Sequence, residues 1–371
     1  MRREWIASGK RAVLAHLVSV EGSHYRRPGA RMLLSEEGAT FGSVSGGCLD
    51  GDLRRRIPEV LAGKEPVLVR YDTGSRDDLV FGLGLGCGGE IEILLTPLDH
   101  ASREGDPLDA AARAPRGGEL ATVVRSPSPE LRAGEQIFVS FGGRTEASGG
   151  FPPALGDEIR RRMASGGAPE SREPRRVAVS HGIEVLVEPV LSPWKLFLAG
   201  SGEDLAAVAR LGATLDWSVE LVVPRPTAAA ERRFAGLLSA PILEPRDLPG
   251  RATPRSAIVV ATHNYLDDLE VLRAALPAPL SYIGLLGSRD RVSRLLADAG
   301  DAGSASRIHG PAGLDVGAET PEEIAVSIVA EIQAVLAGRS GGKLRSRCSP
   351  IHDRTEGDAV GSCAAGARAN A

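Results

Sequence analysis

The chain reads as an α/β protein, an N-terminal α+β domain followed by a C-terminal domain organised on a parallel sheet. Three observations carry that reading. A length of 371 residues exceeds one ordinary core. Short apolar strand runs surround one helical pattern before residue 98, whereas strands alternate regularly with helical patterns after Trp194, and such alternation implies crossover connections and a parallel sheet. Hydrophobic residues make up 42% and charged residues 25%, a balance that buries real cores.

In chain order, Ala12 to Leu34 reads as two strands joined by the arginine-rich turn Gly22-Ser23-His24-Tyr25-Arg26-Arg27-Pro28-Gly29. Leu49, Leu53, Ile57, Val60 and Leu61 stand at helical spacing despite Pro58. Strands follow at Val67–Tyr71 and Glu90–Leu95, closing an N-terminal domain at residues 1–98. Residues 99–193 read as a weak helix, a connection and a strand-containing segment with runs at Leu120–Val124, Gln136–Phe141 and Ile183–Pro189, packing with the N-terminal half. Within it, Ser165 to Arg176 is rich in Gly, Arg, Glu and Pro and reads as a linker or mobile loop.

Residues 194–338 then give strands at Leu196–Ala199, Val219–Val223, Ala257–Ala261 and Ser281–Leu285, with helices at Glu203–Leu215 and Leu269–Leu276. A last helix, Pro321–Leu336, is marked by Thr320 as N-cap, Pro321 at its first position and Glu323 completing a capping box. Residues 339–371 are rich in Gly, Ser, Arg and Ala with almost no apolar pattern and are expected to be disordered.

A net charge of −4 offers no basic field for nucleic acid. No apolar run reaches the ~18 residues of a membrane span, and no apolar segment follows Arg2 and Arg3, so a cytoplasmic location and no membrane partner are expected. The four cysteines, at 48, 87, 348 and 363, show no CxxC spacing, which indicates neither a zinc ribbon nor a disulfide framework.

Two of those thiols sit among glycines: Cys48 ends Gly42-Ser43-Val44-Ser45-Gly46-Gly47-Cys48, and Cys87 lies within Gly82-Leu83-Gly84-Leu85-Gly86-Cys87-Gly88-Gly89. Glycine lets the main chain approach a bound group, so Gly46, Gly47, Gly86 and Gly88 make these thiols accessible where core cysteines are not. The alternative is loop architecture around small buried hydrophobes. Cys48 precedes a helix whose dipole favours a thiolate, opposed in part by Asp50 and Asp52. Arg27 and Arg31 flank the preceding turn and suit a phosphate-bearing ligand of a soft metal; a solvated charged hairpin is the alternative.

In the C-terminal half Gly200-Ser201-Gly202 follows a strand and opens a helix, the context of a phosphate-binding crossover in a Rossmann-like domain. The third glycine position is Leu205, Glu203 and Asp204 repel a pyrophosphate from the first turn, and Val223-Pro224-Arg225 lacks the acidic residue that grips an adenine ribose. NAD(P) is therefore disfavoured. Thr262 and His263, and Ser288 and Arg289, end the next two strands, where open α/β sheets place ligands; a turn residue and a helix cap are the plain alternatives.

These residues resemble the XdhC/CoxI family. The likeness runs through Gly22-Ser23, Arg27-Pro28-Gly29-Ala30-Arg31-Met32, Ser45-Gly46-Gly47-Cys48 and Gly84-Leu85-Gly86-Cys87-Gly88-Gly89. It resumes at Ala261-Thr262-His263, Tyr282 to Arg289, Pro311-Ala312-Gly313-Leu314-Asp315 and Thr320 to Ala325. The family pattern GxGH is Gly200-Ser201-Gly202-Glu203 in this chain, and Asp-Pro-Arg is Val223-Pro224-Arg225. The resemblance implies an accessory factor for molybdenum hydroxylases such as xanthine dehydrogenase and carbon monoxide dehydrogenase. Such a factor binds molybdenum cofactor, protects it while a cysteine desulfurase replaces an oxo ligand by sulfur, and delivers it to the apo-hydroxylase. On that reading Cys48 and Cys87 meet the molybdenum end, Arg27 and Arg31 the pterin, and the protein is a chaperone, with a homodimer compatible. An NAD(P)-linked oxidoreductase, or a scaffold that binds no cofactor, are the rival readings.

Overall fold

The computed structural model describes residues 2–22, 26–72, 89–98, 106–114, 117–147, 151–164, 173–225, 227–300 and 305–347. The chain divides into two units, Met1–Ser192 and Pro193–Ala371.

The first unit holds two antiparallel five-stranded sheets. Strand β1 (Ala12–Gly22) is the middle of the first sheet, between β2 (Arg31–Ser35) and β5 (Gly89–Pro97), with β3 (Thr40–Gly42) and β4 (Val67–Asp72) at the edges. Every residue from Ala12 to Val18 is buried, because period-two alternation sends successive side chains to opposite, equally covered faces. Val13, Ala15 and Leu17 meet Leu53, Ile57, Val60 and Leu61 of helix α2 (Asp50–Gly63), which follows the short α1 (Arg2–Ala7). His16 and Val18 point the other way. Pro58 does not end α2, since it stands on the exposed face, where water satisfies the carbonyl it leaves unbonded.

The second sheet has the order β8 (Thr145–Ala147), β7 (Gln136–Ser140), β6 (Gly118–Arg125), β10 (Ile183–Val190) and β9 (Arg175–Val179). A helix at Pro153–Ala164 covers one face through Leu155, Ile159 and Met163, packed on Val123, Ile137, Val185 and Val187. The other face meets the first sheet: Val124 and Leu186 pack on Val18 and Leu94. Two sequence readings change here. The helix and β8 had no expected counterpart, and Arg175 and Arg176 belong to strand β9 rather than to a linker. Their charges are tolerated in a strand because Arg175 pairs with Glu119 at 3.0 Å, and Arg176 with Glu184 at 2.5 Å and with Glu92. The remainder of that expected linker, residues 165–172, lies outside the described residues.

The second unit carries the parallel five-stranded sheet β12 (Ser218–Val222), β11 (Lys195–Ala199), β13 (Ser256–Val260), β14 (Tyr282–Leu285) and β15 (Ile308–His309). One face is covered by the helices Glu203–Thr214 and Pro321–Leu336, through residues such as Leu205, Val208, Ile328 and Ile332. The other face meets Tyr265–Ala275 and Arg289–Ala299 through Leu269, Leu272, Val292 and Leu295. This is the Rossmann-like arrangement expected from the strand–helix alternation. The capping box forms as read: Thr320 Oγ1 accepts from Glu323 N at 3.3 Å, and Glu323 Oε2 accepts from Thr320 N at 3.0 Å. The helix expected at Leu269 starts earlier, at Tyr265, because the Asn264 side chain accepts from Leu266 N and Asp267 N. Of the expected disordered tail, residues 339–347 are described and include a 3₁₀ turn at Leu344–Ser346, while 348–371, with Cys348 and Cys363, lie outside the described residues.

Candidate functional site

The Cys48 loop is built outward from the core of the first unit. Val44 and Ser45 are fully buried, whereas Gly46, Gly47 and Cys48 are exposed. Ser43 N donates to the Arg31 carbonyl at 3.1 Å, and Ser45 Oγ accepts from Gly47 N at 3.1 Å and Leu49 N at 3.4 Å. Gly47 has a φ of 101°, which only glycine adopts without strain, and open space lies where a Cβ would stand. A buried serine thus ties both ends of a glycine turn that presents one thiol to solvent.

Helix α2 begins two residues after the thiol; Asp50 N turns back to the Gly47 carbonyl at 3.3 Å, and because the N-cap Leu49 supplies no side-chain acceptor, the amides of Gly51 and Asp52 stay without a side-chain cap. The acidic first turn does not oppose an anion as fully as the sequence suggests. Asp52 accepts from Tyr71 Oη at 2.7 Å, Arg56 Nε at 2.7 Å and Arg55 at 3.1 Å. Burial opposes ionisation of Asp52, but these donors outweigh it and hold the carboxyl below its usual range. Two guanidinium groups therefore meet its charge.

The arginines flanking the preceding turn pair with carboxylates on or just before strands of the second sheet. Arg27 pairs with Glu173 at 3.5 Å. Arg31, read as an anion contact, directs its guanidinium to buried Glu188 and to the Gly29 carbonyl at 3.0 Å. The second glycine nest, with Gly86, Cys87 and Gly88, lies outside the described residues. Where the two sheets meet there is also a polar cavity of about 510 Å³, lined by Arg70, Arg125, Arg176, Glu90, Glu92 and Glu184, and each of these charges has a partner within the set.

In the second unit the strand order makes β11 and β13 neighbours whose connections depart in opposite directions, the switch point at which open α/β sheets form a crevice. Gly200, at φ 133°, lets the turn after β11 lie directly on the Ala261 carbonyl. Gly202 leaves space that His263 uses: a Cβ there would stand 3.2 Å from His263 Nε2. His263 is itself in the left-handed region at φ 61°. Its neighbours account for that strained turn. Asp268, only 2% exposed, accepts from Thr262 N at 2.9 Å, Thr262 Oγ1 at 2.6 Å and Arg291 at 2.6 Å.

The Thr262 hydroxyl thus serves the loop. The Ser288 hydroxyl likewise caps its helix by accepting from Arg291 N at 3.3 Å. Arg289 is exposed and, among the described residues, unpaired. Glu203, expected to repel a pyrophosphate, is met by Arg210 and Arg233, each at 3.3 Å, and Arg233 also donates to the Ser201 carbonyl. Asp268→Ala is expected to loosen this loop and to cost about 2 kcal/mol, discounted for the partial exposure of Arg291 and measured as lost hydrogen-exchange protection over Ser256–Val260.

Two carboxylates that the sequence did not signal lie beneath these loops, Glu188 in the first unit and Glu331 in the second. Glu331 accepts from Tyr282 Oη at 2.6 Å and Gly313 N at 2.9 Å, with the His309 ring stacked on Tyr282 at 4.5 Å, which holds the loop Pro311–Asp315. Burial first, and then the Glu331 hydrogen bond, push the Tyr282 hydroxyl well above its usual range. Among the described residues no group of three or more His, Cys, Asp or Glu is placed to hold a metal ion, and no helix is long and apolar enough to cross a membrane.

An antiparallel unit presenting a thiol from a glycine turn, together with a Rossmann-like unit, defines an α/β protein with no metal cluster of its own among the described residues. The description "XdhC and CoxI family" matches residues 5–72, and "XdhC Rossmann domain" matches residues 196–332. A Bacillus subtilis protein described as a probable xanthine dehydrogenase subunit is 33% identical over 323 residues, 86% of this chain and 92% of the relative. The "Molybdenum cofactor insertion chaperone PaoD" of Escherichia coli is 24% identical, over 90% of this chain and 86% of that one. A crystal structure titled as a xanthine dehydrogenase from Bacillus halodurans superposes with a TM-score of 0.69 at 27% identity, over 94% of this chain and 98% of that one. The chain belongs to the XdhC and CoxI family, and that membership supports an accessory role in the maturation of a molybdenum enzyme.

Proposed function

We propose that this chain binds molybdenum cofactor as cargo, shields it during sulfuration by a cysteine desulfurase and delivers it to an apo-hydroxylase. The observation that carries the reading is the Cys48 turn: one exposed thiol, flanked by open glycines, beside uncapped helix amides. A thiolate suits a soft, sulfur-ligated metal, and free amides suit an anionic pterin. The relative named as a molybdenum cofactor insertion chaperone supports the same cargo. Cys48 and Cys87 are the proposed contacts to molybdenum. Arg27 is the proposed contact to the pterin phosphate, and Arg31 serves through its main chain as well as its charge. Within the second unit, Gly200, Gly202, Thr262, His263, Ser288 and Arg289 are the proposed cofactor-binding residues of the Rossmann-like crevice.

The test is anaerobic incubation of the purified chain with molybdenum cofactor, followed by gel filtration and assay of retained molybdenum and pterin. Stoichiometric retention is expected for the intact chain, with loss of at least ~10-fold in Cys48→Ala if the thiol supplies a bond worth about 1.4 kcal/mol or more. No retention by the intact chain overturns the reading.

A further inference from the structure

We propose that Glu188, on the second sheet, is the positioning residue for the Cys48 loop on the first; the functional meaning of this rests on the cargo reading, its geometry does not. Glu188 is 3% exposed and faces the first sheet from β10. One carboxylate oxygen takes the Arg31 guanidinium, and the other lies 3.5 Å from His16 Nε2. Gly29, at φ 97°, brings the returning turn against the same carboxylate: a Cβ there would stand 2.7 Å from Glu188 Oε2.

From that point the connection runs through main chain. Arg31 donates to the Gly29 carbonyl, and Gly29 N donates to the Leu17 carbonyl at 2.9 Å, so the carboxylate sets where β2 begins. The Arg31 carbonyl then accepts from Ser43 N, and Gly42, at φ 82°, packs so closely on that carbonyl that a Cβ would stand 2.5 Å away. Ser43 opens the loop that Ser45 ties around Gly47 and Leu49, with Cys48 at its tip. The His16 Nε2 atom is buried without a well-formed hydrogen bond. Arg31 is thus the main counter-charge of Glu188, and a buried carboxylate that loses its counter-charge is costly. The second sheet thus holds the strand from which the turn hangs.

The test uses the full chain and two readouts that need no cofactor: iodoacetamide alkylation of Cys48, quantified on its own peptide, and hydrogen exchange over residues 43–49. Glu188→Gln is expected to raise exchange over residues 43–49 at least ~10-fold, the scale of one lost charge-assisted anchor, and to raise alkylation of the already exposed thiol by a smaller factor, while exchange in Glu203–Thr214 of the second unit stays unchanged. Glu188→Asp, which keeps the charge but shortens the reach, is expected to fall between. Because Glu188 acts through Arg31, and Arg31→Gln alone leaves the buried carboxylate without its counter-charge, adding Glu188→Gln to Arg31→Gln is expected to leave the rates at or below those of Arg31→Gln, whereas independent destabilisation would add. Unchanged rates in Glu188→Gln, or additive rates in the double variant, overturn the assignment. Should Glu188→Gln fail to fold, Glu188→Asp and Arg31→Gln decide it by the same rates. Loss of molybdenum retention bears only on the cargo reading, since neither rate involves the cofactor.

Discussion

Gly200→Ala is expected to destabilise the C-terminal unit by about 3 kcal/mol, the sum of a backbone held in a glycine-only region and of overpacking. The position has φ 133°, and any Cβ would run into the Ala261 carbonyl. Backbone on backbone cannot yield, because Ala261 N is itself bonded to the Ala199 carbonyl at 2.8 Å across the two strands. Gly202→Ala is the internal control. Its Cβ would meet the His263 ring, 3.2 Å from Nε2, on an exposed side chain that can rotate away, so a stability change below ~1 kcal/mol is expected. Urea unfolding of both variants, followed by hydrogen exchange over Lys195–Ala199, checks the pair. Equal effects would show that the glycines of this turn are not distinguished by the carbonyl beneath the first.

Acidification is expected to weaken the first unit through His16. Burial holds the imidazole below its ordinary 6.5, Arg31 adds to this, and Glu188 opposes it. The folded state therefore binds fewer protons than the unfolded state in the window below pH 6.5, and stability is lost as pH falls through it. The slope approaches about 1.4 kcal/mol per pH unit for one such group. For Glu188, burial favours protonation, but Arg31 and then His16 outweigh it and leave the carboxyl below its ordinary 4.5. Its contribution has the same sign and is lost only at pH below that value. His16→Gln is expected to remove the first slope and keep the second. Denaturant midpoints for the first unit at several pH values between about 7.5 and 4 read both. An unchanged slope between 6.5 and 5 in the variant would rule out His16 as its source.

The parallel unit was legible because its signals are local. Strand and helix periods alternate, and Thr320, Pro321 and Glu323 announce their helix with side chains that bond to their own backbone. The second sheet of the first unit was not. Strand β9 opens with Arg175 and Arg176, which read as linker until Glu184 on the adjacent strand, Glu119 one strand further and Glu92 on the other sheet are seen to meet them. The helix Pro153–Ala164 is polar apart from Leu155, Ile159 and Met163 at helical spacing, a short stripe that only the sheet beneath it makes into a core.

The same division runs through the site. The Cys48 turn was visible in the sequence because glycines around a thiol restrict what the backbone can do whatever surrounds them. The charge balance of Asp52 and Glu203 was not, since which arginines fold back on them is a matter of side-chain reach: Arg55 and Arg56 from the next turn meet Asp52, and Arg210 from two turns later and Arg233 from another helix meet Glu203. Glu188 was invisible for a further reason. In Ile183–Val190 it alternates with Val185 and Val187, and period two alone assigns it to solvent. By itself the amino-acid sequence determined the class of each unit, the thiol turn and the family, all written in nearest-neighbour chemistry. The tertiary structure alone decided that both faces of β10 are buried, and so made one carboxylate the counter-charge of Arg31, because burial belongs to two packed surfaces and no single strand encodes it.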